Sequence, residues 1–145
     1  MASVCFFYEE NDVDVFSGRQ DLLDAWNYAL LMAGDIDHVV IINLTDERLN
    51  FNQSFKVDIV ESVENFHEIS DGQKVVLVGA ENEFSNPVSL WDYDHKDDWY
   101  FFGSASGHQL SESGISIPSE NEMALHSVHA ATVIFSHRYK VMKCR

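Results

Sequence analysis

Basic residues are scarce in this chain. Nine Lys and Arg stand against 24 Asp and Glu, a formal net charge of −15 over 145 residues. Such a surface repels phosphate backbones, whose binding rests largely on Lys and Arg, so generic nucleic-acid binding is disfavoured. Proline (two) and glycine (seven) are also few, which argues against long flexible linkers. The two cysteines, Cys5 and Cys144, form neither a CxxC nor a metal-ligand spacing, so nothing calls for an oxidising compartment or a structural metal. No apolar run approaches the roughly 18 residues needed to cross a bilayer. The opening MASVCFFYEEND lacks a basic segment followed by a long apolar one, so no secretion signal is expected and a cytoplasmic location is the default. There is no internal repeat and no low-complexity tract.

What remains is a chain able to build a core. Hydrophobic residues make up 46% and aromatics 12%, a content that disfavours disorder. The length suits one domain, residues 1–145. Ser3 to Tyr8 reads as a buried strand, with Cys5 as one of its core residues. EENDVD then breaks the pattern. Leu22, Leu23, Trp26, Ala29, Leu30 and Ala33 recur at helical spacing from Ser17 or Gly18 onward, and Gly34 closes that helix. The β-branched run His38 to Leu44 has the character of a central parallel strand. Phe55 to Val60 is a weaker strand, and Ser62 to Ile69 a short helix capped by Ser62 with Asn65. Lys74 to Val78, Trp99 to Gly103 and Gly114 to Ile117 are further strands, with a loop or single helical turn over Pro87 to His95. Met123 to Tyr139 reads as a closing helix with Leu125, Val128, Ala131, Thr132 and Phe135 on one face. Strands alternating with helices predict an α/β fold, a mostly parallel sheet with helices on both faces.

The last third carries the motifs. Phe102-Gly103-Ser104-Ala105-Ser106-Gly107-His108-Gln109-Leu110 follows a strand as a Gly-Ser loop. Ile115-Ser116-Ile117-Pro118 ends a second strand. Ala124-Leu125-His126 precedes the apolar run Ala130-Ala131-Thr132-Val133-Ile134-Phe135, and Leu90-Trp91-Asp92-Tyr93-Asp94-His95 lies upstream. In order and spacing these resemble the cofactor-binding end of the SpoU/TrmH branch of the SPOUT RNA methyltransferases, over residues 74–140 and, more weakly, 20–70.

The resemblance implies a C-terminal trefoil knot, with the last helix threading a loop near 103–113. It also implies a homodimer with the knot and the first helix near the interface, and S-adenosylmethionine bound mostly through backbone groups. The cofactor positions it carries over are Val78, Gly79, Gly103, Ile117, Ala124 and Leu125. Gly103 and Gly107 would let the chain approach a ligand closely, and Ile117 with Leu125 would wall an adenine ring. The chain departs from the family at its polar positions. Ala105 stands for the loop Glu, Ala124 for a Ser, and His126 for an Asn. Tyr28, with Asn27 beside it, stands where the early helix carries an Arg that helps activate the ribose 2′-hydroxyl. Arg19 lies more than two turns away on that helix. Methyl transfer to a hydroxyl needs a proton acceptor and an aligned nucleophile, and His126 or Tyr28 would have to supply them.

Other candidates have plainer readings beside the sharp ones. His108, His126, His129 and His137 cluster late; His126 and His129 share a helix face at i, i+3, but no third ligand follows, so no metal is expected. Ser104, Ser106 and Ser111 lack an elbow or a triad and suit turn chemistry. The acidic runs Glu9–Asp14 and Asp92–Asp98 are cation sites or solvated loops. Trp26, Trp91 and Trp99 are core or dimer anchors. The run His137, Arg138, Lys140, Lys143, Arg145 is either a local basic patch or a set of helix-end cations. Two functions follow. One is an S-adenosylmethionine-dependent RNA 2′-O-methyltransferase homologue with reduced or lost catalysis, acting on tRNA or rRNA. The other is a catalytically silent dimeric module that binds proteins, a basic partner being favoured by the acidic surface.

Overall fold

The first strand, β1 (Ala2–Tyr8), is buried on both faces, and its alternation divides the core. Val4, Phe6 and Tyr8 point to one side of the sheet, and Cys5 packs on the other with Val40, Ile42, Phe66 and Trp99. The computed structural model describes residues 1–16, 18–51, 54–103, 112–118 and 125–145, with the backbone alone at 11, 14 and 15. After β1 come α1 (Glu10–Val15), α2 (Arg19–Ala33), β2 (Ile36–Asn43), β3 (Lys56–Val60), α3 (Val63–Ile69) and β4 (Val75–Val78). A two-residue β5 (Val88–Ser89), a turn of 3₁₀-helix at Leu90–Asp92, β6 (Trp99–Phe102), β7 (Ile115–Ser116) and α4 (Ser127–Lys143) complete the order.

The strands form one sheet in the order β3-β2-β1-β6-β4-β7-β5, and every pairing is parallel. Helices α2 and α4 pack against each other and cover one face, while Phe66 of α3 covers the other. Phe6 stacks on Trp26 of α2 with ring centres 3.8 Å apart. Gly34 ends α2 in the left-handed conformation at φ 77°, which a Cβ-bearing residue adopts only with strain. Ser62 caps α3 by accepting the Asn65 backbone N–H at 3.2 Å.

The expected α/β architecture is present, with local corrections. Residues Glu10–Val15 form a short helix, not a break. It is a turn and a half with two valines, too short for its periodicity to be read. β5 is a strand because Val88 and Ser89 pair with Ile115 and Ser116 across the sheet edge, a contact no local pattern announces. The last helix starts at Ser127 and runs to Lys143, and its buried face is Val128, Ala131, Ile134, Phe135 and Arg138. Leu125 precedes that helix and is half exposed, and Thr132 faces solvent. Ala105, Ala124, His108, Gly107 and the serines at 104, 106 and 111 lie outside the described residues. So does most of the chain through which a knot would be threaded, 104–111 and 119–124.

The C-terminal cations are corrected most. Arg138 is neither a patch residue nor an exposed cap; it is fully buried. Its five N–H groups all donate. Nε and Nη2 reach the two Asp35 oxygens at 3.0 and 2.6 Å, and Nη2 also reaches Asp97 Oδ1 at 3.1 Å. Nη1 donates to Lys96 O at 2.6 Å and to the Tyr100 hydroxyl at 3.1 Å. Because Arg138 only donates, the Tyr100 proton turns to His95 Nδ1, 2.6 Å away. His95 then carries its proton on Nε2 and donates to His137 Nδ1 at 2.8 Å. This chain ties α4 to β6 and to the 93–98 loop. Burial, then His137, Arg138 and Arg145, push His95 down to about 4, so its ring is neutral near pH 7, and burial, then Lys140, lower His137 as well. Arg145 closes the same region by pairing with Asp94 and donating to His95 O. The acidic 92–98 loop thus holds the protein's own cations.

Candidate functional site at the C-terminal edge of the sheet

Chain direction fixes where a site belongs. From β1 the chain winds outward through β2 to β3, then crosses back so that β6 lies on the other side of β1. Strand order therefore reverses between β1 and β6, and ligands of open α/β sheets sit outside the carboxyl ends of the strands at such a point. The segments leaving those two ends carry Glu9 and Asp12 after β1, and Gly103 after β6.

Neighbouring ends extend the same edge. Val78 pairs with Phe102 on one side and Ile115 on the other, which sets Gly79 beside Gly103. The Gly79 N–H donates to Ile115 O at 3.1 Å and ties β4 to β7. A Cβ on Gly103 would meet nothing within 4 Å, so the backbone there lies open. Ser127, in the first turn of α4, donates from Oγ to Gly103 O at 3.4 Å. Ile117 is partly buried and Leu125 half exposed, leaving apolar surface at this edge. Val78 is itself in the core, so it shapes the edge through its backbone. Ala124 lies outside the described residues.

The described side chains bring one reactive pair together here. His126 Nδ1 lies 3.5 Å from Asp12 Oδ1 of α1, with the imidazole 40% exposed and the carboxylate 14%. Phe16 sets its ring edgewise to His126 at 6.0 Å and against His129 at 5.4 Å. Burial, then the Glu9 carboxylate, raise the Asp12 carboxyl above the usual range, while His126 acts to lower it. Tyr28 does not join this pair. It stands on α2 with 70% of its surface exposed. Among the described residues no group of three His, Cys, Asp or Glu side chains is placed to hold a metal ion.

Two residues escaped sequence reasoning. Asp12 sat in an acidic run with a solvated-loop reading, and only the return of the chain before α4 gives it a histidine. Phe84 packs its ring on the backbone at Gly79 and Gly114; a Cβ at Gly114 would lie 2.3 Å from that ring and 2.9 Å from Leu77 O. No local signal marks it, because Gly114 lies far along the chain from Phe84 and meets it only through the fold.

Comparison with solved structures gives the fold a class. The chain has the fold of the SpoU/TrmH methyltransferases. Over 99% of its length it matches 97% of a protein studied for the 2-OH methylation of C/U34 on tRNA, at TM-score 0.60 and 14% identity. It matches 75% of the A. aeolicus TrmH/SpoU tRNA modifying enzyme over 98% of its own length, at TM-score 0.65 and 12% identity. It matches 61% of the SpoU methyltransferase AviRb from Streptomyces viridochromogenes, solved with AdoMet, over 99% of its own length, at TM-score 0.61 and 14% identity. No protein-family profile and no curated protein matches the sequence. Among the described residues no helix is long and apolar enough to cross a membrane.

Proposed function

We propose that this chain is a SpoU/TrmH-like RNA 2′-O-ribose methyltransferase homologue that binds S-adenosylmethionine at the C-terminal edge of its sheet. The observation that carries this is the open backbone at Gly103, beside the strand-order reversal, in a fold shared with a SpoU enzyme solved with AdoMet. The described residues suit such a ligand. Backbone at Gly103 would take its polar groups, and Ile117 with Leu125 its adenine ring, next to Val78 and Gly79. When bound, the sulfonium supplies an electrophilic methyl group. The protein's part is to hold the ribose hydroxyl in line and take up its proton. With Ala105 and Ala124 where the family has polar groups, His126 is the remaining candidate for that proton. Tyr28, exposed on α2, reaches an active site only if a second subunit brings one to it. Catalysis is accordingly expected to be slow. An RNA substrate, tRNA or rRNA, has few cations to grip, since Arg19, Arg138 and Arg145 are all engaged with acids.

A second reading, a catalytically silent homodimeric interaction module, is favoured by one feature. An open groove of about 810 Å³ runs along α4, lined by Trp91, Val133, His137, Lys140, Val141 and Arg145 among others. Trp91 is 55% exposed there. Lys140 in the groove and exposed Asp92 beside Trp91 give it opposite charges that a two-fold axis would pair, as an isologous interface requires. The remaining acidic surface would suit a basic protein partner.

Calorimetric titration with S-adenosylmethionine and with its demethylated product separates the readings. Saturable binding by both supports the cofactor site. No heat at about millimolar ligand, where binding free energy falls to about −4 kcal/mol, rejects it and leaves the module. Sedimentation of the same sample reports whether the chain is a dimer under either reading.

A further inference from the structure

We propose that Asp12 is a positioning residue, holding the neutral His126 ring with its Nδ1–H toward the carboxylate and its Nε2 free as a proton acceptor at the sheet edge. The use made of that acceptor rests on the methyl-transfer reading; the pairing itself does not.

Four observations converge. The pair is formed by segments far apart in the sequence, α1 and the residue just before α4. It lies where strand order reverses, beside Gly103, whose carbonyl is touched by the residue following His126. Phe16 sets its ring edgewise against one side of the imidazole, which stays partly exposed. The Asp12 carboxylate occupies an unfavourable place, desolvated and beside Glu9, and a hydrogen bond from His126 offsets part of that cost. A carboxylate only accepts, so a neutral imidazole facing it must place its single proton on Nδ1. Nε2 is then a lone-pair acceptor. The 3.5 Å separation is longer than a good hydrogen bond, as is common before a substrate closes a site.

The proton balance is simple. The ribose hydroxyl oxygen forms a bond to the methyl carbon as the methyl–sulfur bond breaks, and the sulfur electron pair converts the sulfonium to a neutral thioether. The hydroxyl proton passes to His126 Nε2. The resulting imidazolium carries N–H on both nitrogens and faces the Asp12 carboxylate, which stabilises its charge. Groups facing this centre are Glu9 and Asp12 from the β1 end and α1, and His129 from α4.

Long-range nitrogen–proton NMR on the full chain, ¹⁵N-labelled at histidine, tests the pairing without cofactor or substrate. At a pH about two units above the imidazole titration, His126 is expected as the Nδ1–H tautomer. Asp12→Ala is expected to return it to the Nε2–H form that free imidazole prefers. A wild-type Nε2–H tautomer, or one unmoved by Asp12→Ala, would overturn the proposal. Should Asp12→Ala not fold, the wild-type tautomer alone decides. Methyl transfer then reads the use of the pair: Asp12→Ala should lower kcat about tenfold or more with little change in KM, and flatten its pH dependence. An unchanged kcat would overturn the catalytic role. Failure to bind S-adenosylmethionine with the Nδ1–H tautomer intact would instead reject the methyltransferase reading and support the pairing alone.

Discussion

Replacing Arg138 by Met should be among the most damaging single changes available in this fold. The side chain has similar length and no donors. It would take one donor each from Lys96 O and from the Tyr100 oxygen, which keeps its bond to His95, and leave Asp35 without its two guanidinium donors. Two lost bonds to neutral acceptors are worth about 1 kcal/mol each, and the charge-assisted pair to Asp35 about 1.5 kcal/mol each before solvent is counted. The Asp35 side chain is 29% exposed and Asp97 60%, so water recovers part of the charged share. The total is about 3 kcal/mol, the low end of the cost of breaking a buried pair. Urea unfolding followed by circular dichroism is the assay. With a slope of about 2 kcal/mol per molar, the midpoint should fall by about 1.5 M. Arg138→Lys should lose nearly as much, because one ammonium cannot reproduce five fixed donors. Tyr100→Phe should couple to Arg138→Met by about 1 kcal/mol or more in a double-mutant cycle. A midpoint shift under about 0.5 M for Arg138→Met would refute the claim that this network ties α4 to the sheet.

Acid should loosen the same region. His95 is held at about 4 by burial and then by His137, Arg138 and Arg145, against about 6.5 in an unfolded chain. Between those values the unfolded state binds more protons, so stability is full above about pH 6.5 and is lost as pH falls, by up to about 3 kcal/mol. His137, lowered by burial and then Lys140, acts in the same direction. Urea midpoints between about pH 7.5 and 4.5 should show a shallower slope in His95→Gln than in wild type; equal slopes would refute the assignment. Gly114→Ala should cost about 1–3 kcal/mol because its Cβ meets the Phe84 ring and the Leu77 carbonyl. Its thermal midpoint should drop by roughly 3–10 °C and recover in part with Phe84→Leu. Asp12→Asn should raise the urea midpoint at neutral pH. The Asp12 carboxyl is raised by burial and then Glu9, so its contribution is favourable only while protonated and is lost as pH rises. A lower midpoint at neutral pH would contradict that sign.

How much was legible follows from the range over which each feature is specified. The β-branched run from His38 is a strand in any parallel sheet, and Gly34 ends α2 by its own backbone freedom; both are local. The Ser62 cap and the burial of Cys5 are read as easily. α1 was missed because six residues, only Val13 and Val15 of them apolar, are too few to show a face. Arg138 looked like a helix-end cation because nothing near it in sequence reveals Asp35 or Tyr100. His126 was singled out through a family position, yet its partner was not. Leu125 was misplaced on the buried face because the helical spacing continues through it while the helix itself starts two residues later.

The sequence by itself determined the types of the longer elements, the buried face of α2, the net acidity and the order of the Gly-rich strand ends. These depend on side-chain period, propensity and charge over a few residues. Only the tertiary structure decided that β6 lies between β1 and β4, with β5 at the edge. That order is set by crossovers and helix packing, because a parallel strand buried on both faces carries no local mark of its neighbour. The order places the ends of β1 and β6 side by side, and with them Asp12, Gly103 and His126 at one edge.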